Sequence, residues 1–146
     1  MADFQLNFIH LCDEATFSKE GKLSLIGIFD VVNLVNIPGT LIKAVLVCNF
    51  SILNPKLDSV KIDVTVTKKD EKEPIMTVPT LTAKIENKNI QKIDIEPRIG
   101  ITLQLTNLQF KNEGNYMINL QVNGSLLGKY RFTVKKLIQP SKGVIN

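Results

Sequence analysis

Asn112-Glu113-Gly114-Asn115-Tyr116-Met117-Ile118-Asn119-Leu120-Gln121-Val122-Asn123-Gly124-Ser125-Leu126-Leu127-Gly128-Lys129-Tyr130-Arg131-Phe132-Thr133-Val134 is the stretch whose reading decides the fold. Ile118, Leu120 and Val122 stand at every second position, and Leu126, Gly128, Tyr130, Phe132 and Val134 resume the alternation. Side chains on a strand point to opposite faces in turn, so each run predicts a strand with one apolar face. Asn123-Gly124 between them predicts a tight hairpin. A type I′ turn needs φ > 0 at both central residues, which Asn and Gly accept.

Upstream, the pattern is again of period two. Phe4, Leu6 and Phe8 open a first strand that continues through Ile9-His10-Leu11-Cys12. Asp13 to Glu20 reads as a polar loop closed by Gly21, and Lys22 to Val35 as a second extended stretch. That stretch changes phase: Leu23 and Leu25 are odd, Ile26 and Ile28 even. A glycine inside a strand often marks a bulge, so Gly27 predicts a bulge or bend where the chain crosses between sheets. Pro38-Gly39 is a turn. Leu41 to Leu53 is apolar enough to be central. Val60, Ile62, Val64 and Val66 alternate with polar residues, and Lys68 to Glu73 forms a charged hairpin tip. Pro74 and Pro79 place the next strand, Ile75 to Leu81, at a sheet edge. Residues 84–97 read as an irregular strand or a loop. Ile99 to Leu105 alternates again, and Leu108 and Phe110 lead into the closing hairpin.

The chain has 146 residues, enough for one domain that buries its own core without metal or disulfide staples. No apolar run is long enough to span a membrane. The start Met1-Ala2-Asp3 lacks a basic, then apolar, leader, so the expected compartment is the cytoplasm. The two cysteines, Cys12 and Cys48, each lie in an apolar run and read as reduced, buried thiols; a bridge between them would need neighbouring strands. Net charge is +4, and it is uneven. From Arg98 onward seven Lys/Arg face one acid, Glu113. That basic third suits an acidic partner or nucleic acid, or serves as a solvated surface that discourages edge pairing.

Gly114-x-Tyr116 has the spacing of a tyrosine corner, in which a phenol reaches back to an upstream backbone group and ties a crossing between sheets. Gly114 supplies a position free to take φ > 0. Ile118 stands where antibody domains carry a cysteine, and the chain has no Trp. The expectation is therefore sandwich architecture without antibody kinship.

The chemistry-bearing residues do not form a site along the chain. His10, the only histidine, shares a strand face with Cys12, but side chains two apart stand parallel and do not converge as a nucleophile pair must. One His and two distant Cys do not make a closed zinc site. Asp13-Glu14, Asp70-Glu71-Glu73 and Asp94-Glu96 are short acidic groups, the middle one interleaved with Lys68, Lys69 and Lys72, which oppose a cation. The eight glycines are scattered, with no phosphate-cradling loop. Phe110, Tyr130 and Phe132 lie in the basic third, but their alternation is that of core residues rather than of a base-stacking platform.

Three fragments occur together: Leu11-Cys12-Asp13-x-Ala15, Gly21-Lys22-Leu23-x-x-x-Gly27-x-Phe29-Asp30 and Gly114-x-Tyr116. In that order they resemble a family of small uncharacterised bacterial β-sandwich proteins of unknown function. The resemblance implies a bacterial or phage origin and an all-β fold. It implies no activity and assigns no functional residue; Asp13 and Asp30 are the polar positions it highlights.

The sequence thus predicts an all-β, two-sheet immunoglobulin-like or Greek-key sandwich of eight or nine strands, with a small β-barrel as the alternative. One domain spans residues 1–134, followed by a basic tail, 135–146. Gly27, Gly114, Tyr116, Asn123 and Gly124 are the expected structural residues. Asp13, Asp30, Lys129, Arg131, Lys135 and Lys136 are the binding candidates. The expected function is a non-enzymatic module that binds another macromolecule, a protein first, with no cofactor and no membrane. The alternatives are a self-associating assembly subunit of the phage or compartment kind and a basic nucleic-acid-binding module.

Overall fold

The computed structural model describes residues 2–85 and 96–138. These hold ten strands: β1 (Phe4–Phe17), β2 (Leu23–Ile28), β3 (Val31–Leu34), β4 (Gly39–Ile52), β5 (Ser59–Lys68), β6 (Pro74–Thr77), β7 (Leu81–Lys84), β8 (Arg98–Phe110), β9 (Gly114–Val122) and β10 (Ser125–Lys136). They form a four-stranded sheet in the order β2-β1-β4-β8 and a six-stranded sheet, β3-β10-β9-β5-β6, with β7 also paired to β5. Every pairing is antiparallel except β3 with β10. The molecule is an immunoglobulin-like sandwich. Among the described residues no ladder joins the two sheets, so they are not closed into a barrel.

Ten strands replace the expected eight or nine for two local reasons. The stretch 22–35 belongs to both sheets: β2 ends in one and β3 begins in the other three residues later. The edge strand near residue 80 is split around Pro79 into β6 and β7, because proline cannot donate to the ladder. The polar segment Asp13–Phe17 is strand rather than loop, since Glu14 to Phe17 pair residue by residue with β2. The turn that follows is closed by Gly21, whose N–H donates to Ser18 O at 3.0 Å. At the other end β10 runs on through Lys136, past the boundary expected at residue 134, because Lys135 and Lys136 pair with Asn33 and Leu34. Most of 84–97, and residues 139–146 of the expected tail, lie outside the described residues.

The core lies between the sheets. Val60, Ile62, Val64 and Val66 of β5 and Tyr116, Ile118, Leu120 and Val122 of β9 are buried, as their alternation requires. They meet Ala44, Leu46, Cys48 and Phe50 of β4 and Leu105 and Leu108 of β8. Phe110, Tyr116 and Phe132 pack with ring centroids 4.9 to 6.0 Å apart, each such pair adding about 0.5–1.5 kcal/mol beyond its area. Val45 and Val47, on the opposite face of β4, join Cys12 in a second, smaller cluster. β4 is therefore apolar on both faces, which explains its unbroken run from Ala44 to Cys48.

Candidate functional site

Two surfaces stand out, and both depend on how the chain passes from β2 to β3. Phe29 N–H donates to Leu11 O of β1 at 3.0 Å, and Thr133 N–H of β10 donates to Asp30 O at 2.8 Å. The Tyr130 hydroxyl donates to Phe29 O at 2.5 Å. The crossing is thus clamped to both sheets. Sequence reading did not find the role of Tyr130, because its partner lies 101 residues away.

The first surface is the edge that this clamp holds in place. β2 is the outermost strand of one sheet and β3 of the other. Ile26 is 53% exposed, Ile28 54% and, on β4, Ile42 72%. Ile28, Val31 and Leu41 line an open hollow of about 340 Å³ with Asp13 and Gly27. Phe17 at the end of β1 and Val35 just after β3 are also exposed. The candidate Asp13 lines this hollow with its carboxylate directly over Gly27, where a Cβ would lie 2.3 Å from Asp13 Oδ2.

The second surface is a groove on the outer face of the six-stranded sheet, about 590 Å³ in volume. Lys129, Arg131 and Thr133 alternate along β10, with Asn119, Met117 and Asn115 opposite them on β9. Asp30 forms one rim and Lys69-Asp70, beyond the end of β5, the other. Three of the sequence candidates, Asp30, Lys129 and Arg131, therefore come together here. Lys135 and Lys136 do not line it. The Lys136 backbone N–H donates to Glu113 Oε1 at 2.5 Å, and both lysines extend the strand paired with β3. Lys69 and Asp70 were missed because a hairpin tip reads as solvent in sequence, whatever the fold sets beside it.

The structural residues have identifiable roles. The Tyr116 hydroxyl donates to Asn112 O at 2.6 Å, the geometry of a tyrosine corner. Gly114 has φ 142°. Asn123 and Gly124 have φ 51° and 82°, both positive as a type I′ turn demands. Asn123 Oδ1 also accepts the Lys61 N–H at 2.9 Å, linking the turn to β5.

Cys12 and Cys48 point to opposite faces of one sheet, so they cannot be bridged. Burial pushes the Cys48 thiol up to about 12. Burial, then the Asp13 charge, raises Cys12. Both are poor nucleophiles in this state, since the thiolate is the reactive form. His10 stacks on Phe8, ring centroids 6.0 Å apart, while Cys12 Sγ contacts the carbonyls of Glu14 and Val45. Among the described residues no three His, Cys, Asp or Glu side chains are grouped to hold a metal ion. Nor is any helix among them long and apolar enough to cross a membrane.

Residues 7–135 match the model of the family of unknown function DUF6941. The chain belongs to that family. The three motifs quoted from the sequence all fall inside the DUF6941 span. No curated protein matches the chain. Among solved structures it is similar to the alkylpurine DNA glycosylase AlkC of Pseudomonas fluorescens, bound to DNA containing an abasic site analog. That match has a TM-score of 0.54 and 10% identity, over 92% of this chain and 31% of the other. The chain thus spans about a third of the glycosylase's length, and what the two share is the fold. It is also similar to an immunoglobulin-like protein from Pseudomonas aeruginosa, with a TM-score of 0.41 and 10% identity, over 92% of this chain and 98% of the other.

Proposed function

We propose that this DUF6941 chain is a non-enzymatic, cytoplasmic binding module whose partner is another protein. The observation that carries the reading is the apolar edge. Natural edge strands are usually guarded by charge or proline. β2, Leu23-Ser24-Leu25-Ile26-Gly27-Ile28, has neither, and exposes Ile26 and Ile28, the second lining a hollow with Val31 and Leu41. Exposed apolar side chains at an unguarded edge suit an interaction site, and an open strand offers main-chain groups for an added strand. Two buried free thiols support a reducing compartment.

The test is affinity capture from lysate of the source cells at low and high salt, using the wild type and an Ile26→Lys/Ile28→Lys variant. A stoichiometric protein that survives high salt with the wild type and is absent with the variant is the expected result. Equal recovery from both would overturn the reading. Recovery only of further copies of the chain would favour an assembly subunit, and nucleic acid lost at high salt a basic nucleic-acid module.

A further inference from the structure

We infer that the groove on the outer face of the six-stranded sheet is a second binding site, one that takes an extended acidic segment of a protein. Lys69, Lys129 and Arg131 line it from two separate elements, and none has an ion-pair partner among the described residues. Three cations against the two rim carboxylates, Asp30 and Asp70, leave the groove net positive with no cation locked in an ion pair, which favours an anionic ligand. Asn115 and Thr133 at the floor are bonded to each other, Thr133 Oγ1 donating to Asn115 Oδ1 at 3.0 Å. Asn115 Nδ2 keeps its donors, and the charged contacts fall to the cations. Met117, half-buried between them, offers an apolar patch for the stem of an acidic side chain.

Spacing and rim charge select the class of anion. Residues two apart on a strand are about 7 Å apart, and an extended peptide presents same-face side chains at that same interval. Carboxylates at alternate positions of such a peptide thus meet Lys129 and Arg131 in register, with the guanidinium able to bind one of them through two parallel bonds. A nucleic acid fits less well. Asp30 and Asp70 on the rims repel a continuous polyanion but leave room for isolated carboxylates between neutral residues. The aromatic residues bordering the groove, Tyr116 and Phe132, turn their rings into the core, are 2% and 3% exposed, and so present no face for stacking bases.

The experiment titrates the full chain into three fluorescein-labelled probes: a peptide of alternating Ser and Glu, its Ser and Gln counterpart, and an oligothymidylate of similar length. Fluorescence anisotropy is read at low and high salt. The acidic peptide should bind more tightly than either other probe. Lys129→Gln and Arg131→Gln should each weaken it about tenfold, while Lys22→Gln, a basic residue outside the groove, should not. All three positions are exposed, so thermal unfolding of each variant should match the wild type. Ile26→Lys/Ile28→Lys should keep acidic-peptide binding, which separates this site from the apolar edge. Equal affinity for the Ser-Gln peptide, tighter binding of the oligothymidylate, or indifference to Arg131→Gln would each overturn the proposal.

Discussion

Tyr116 shows how much one side chain can be read without a structure. Its hydroxyl bonds to Asn112 O only four residues back. A contact that local is set by chain geometry, so the Gly-x-Tyr spacing was enough to anticipate it. Burial raises the phenol above its ordinary pKa, against the lowering effect of the Asn112 hydrogen bond. Tyr116→Phe keeps the ring in its stack with Phe110 and Phe132 and deletes only the hydrogen bond. Stability should fall by about 1 kcal/mol, the net value of one such bond, measured as a lower urea midpoint. An unchanged midpoint would mean that the hydroxyl is as well bonded to water in the unfolded chain. Tyr130 makes an equally short bond to Phe29 O, yet nothing near Tyr130 in sequence announces it, because only the packing of the two sheets brings these residues together.

At the scale of elements, the apolar pattern predicts a bulge or bend at Gly27. The register shows no slip: Cys12 pairs with Ile28 and Glu14 with Ile26. The faces nevertheless change. Ala15 and Leu25, opposite each other, pack against the same cluster as Cys12, three positions along β1. An odd spacing on one face means that β1 and β2 change phase together, around Asp13 and Gly27. Gly27 has φ 69°, the left-handed region that L side chains rarely adopt, and no room for a Cβ beneath Asp13. Gly27→Ala should therefore cost about 1–3 kcal/mol and loosen the β1–β2 hairpin. Hydrogen exchange should rise in residues 13–28 before it rises in β9 and β10. Uniform exchange across both sheets would show that the hairpin is not a separate unit. The phase change was visible in the apolar pattern; its shared character was not, because the polar composition of Asp13 to Glu20 hid the strand opposite.

For the whole molecule, the buried thiols predict how stability depends on pH. Cys48 ionises near 9.0 when unfolded and at about 12 when folded. An acid whose folded pKa is raised contributes no penalty below its unfolded pKa. Above it, the unfolded chain loses a proton that the folded chain keeps, so stability falls as pH rises. The slope from this group is about 1.4 kcal/mol per pH unit between those two values. Cys12, Tyr116 and Tyr130 are shifted in the same direction and add to it. Cys48→Val should remove one proton's share of the slope, seen in urea unfolding series above pH 9. An identical alkaline slope in the variant would show that the thiol is reached by solvent.

By itself the sequence determined most of the strands, the Asn123-Gly124 hairpin, the corner and the sandwich class. Each of these rests on contacts between near neighbours in the chain, where φ preferences and period-two patterning decide the outcome. The tertiary structure alone decided that β3 runs parallel to β10, that the apolar edge is held open by the Phe29 clamp, and that Lys69, Lys129 and Arg131 share one groove. Those juxtapositions come from the packing and order of strands far apart in sequence. Packing energy is spread over many interchangeable apolar contacts, so no short motif records which distant surfaces will meet.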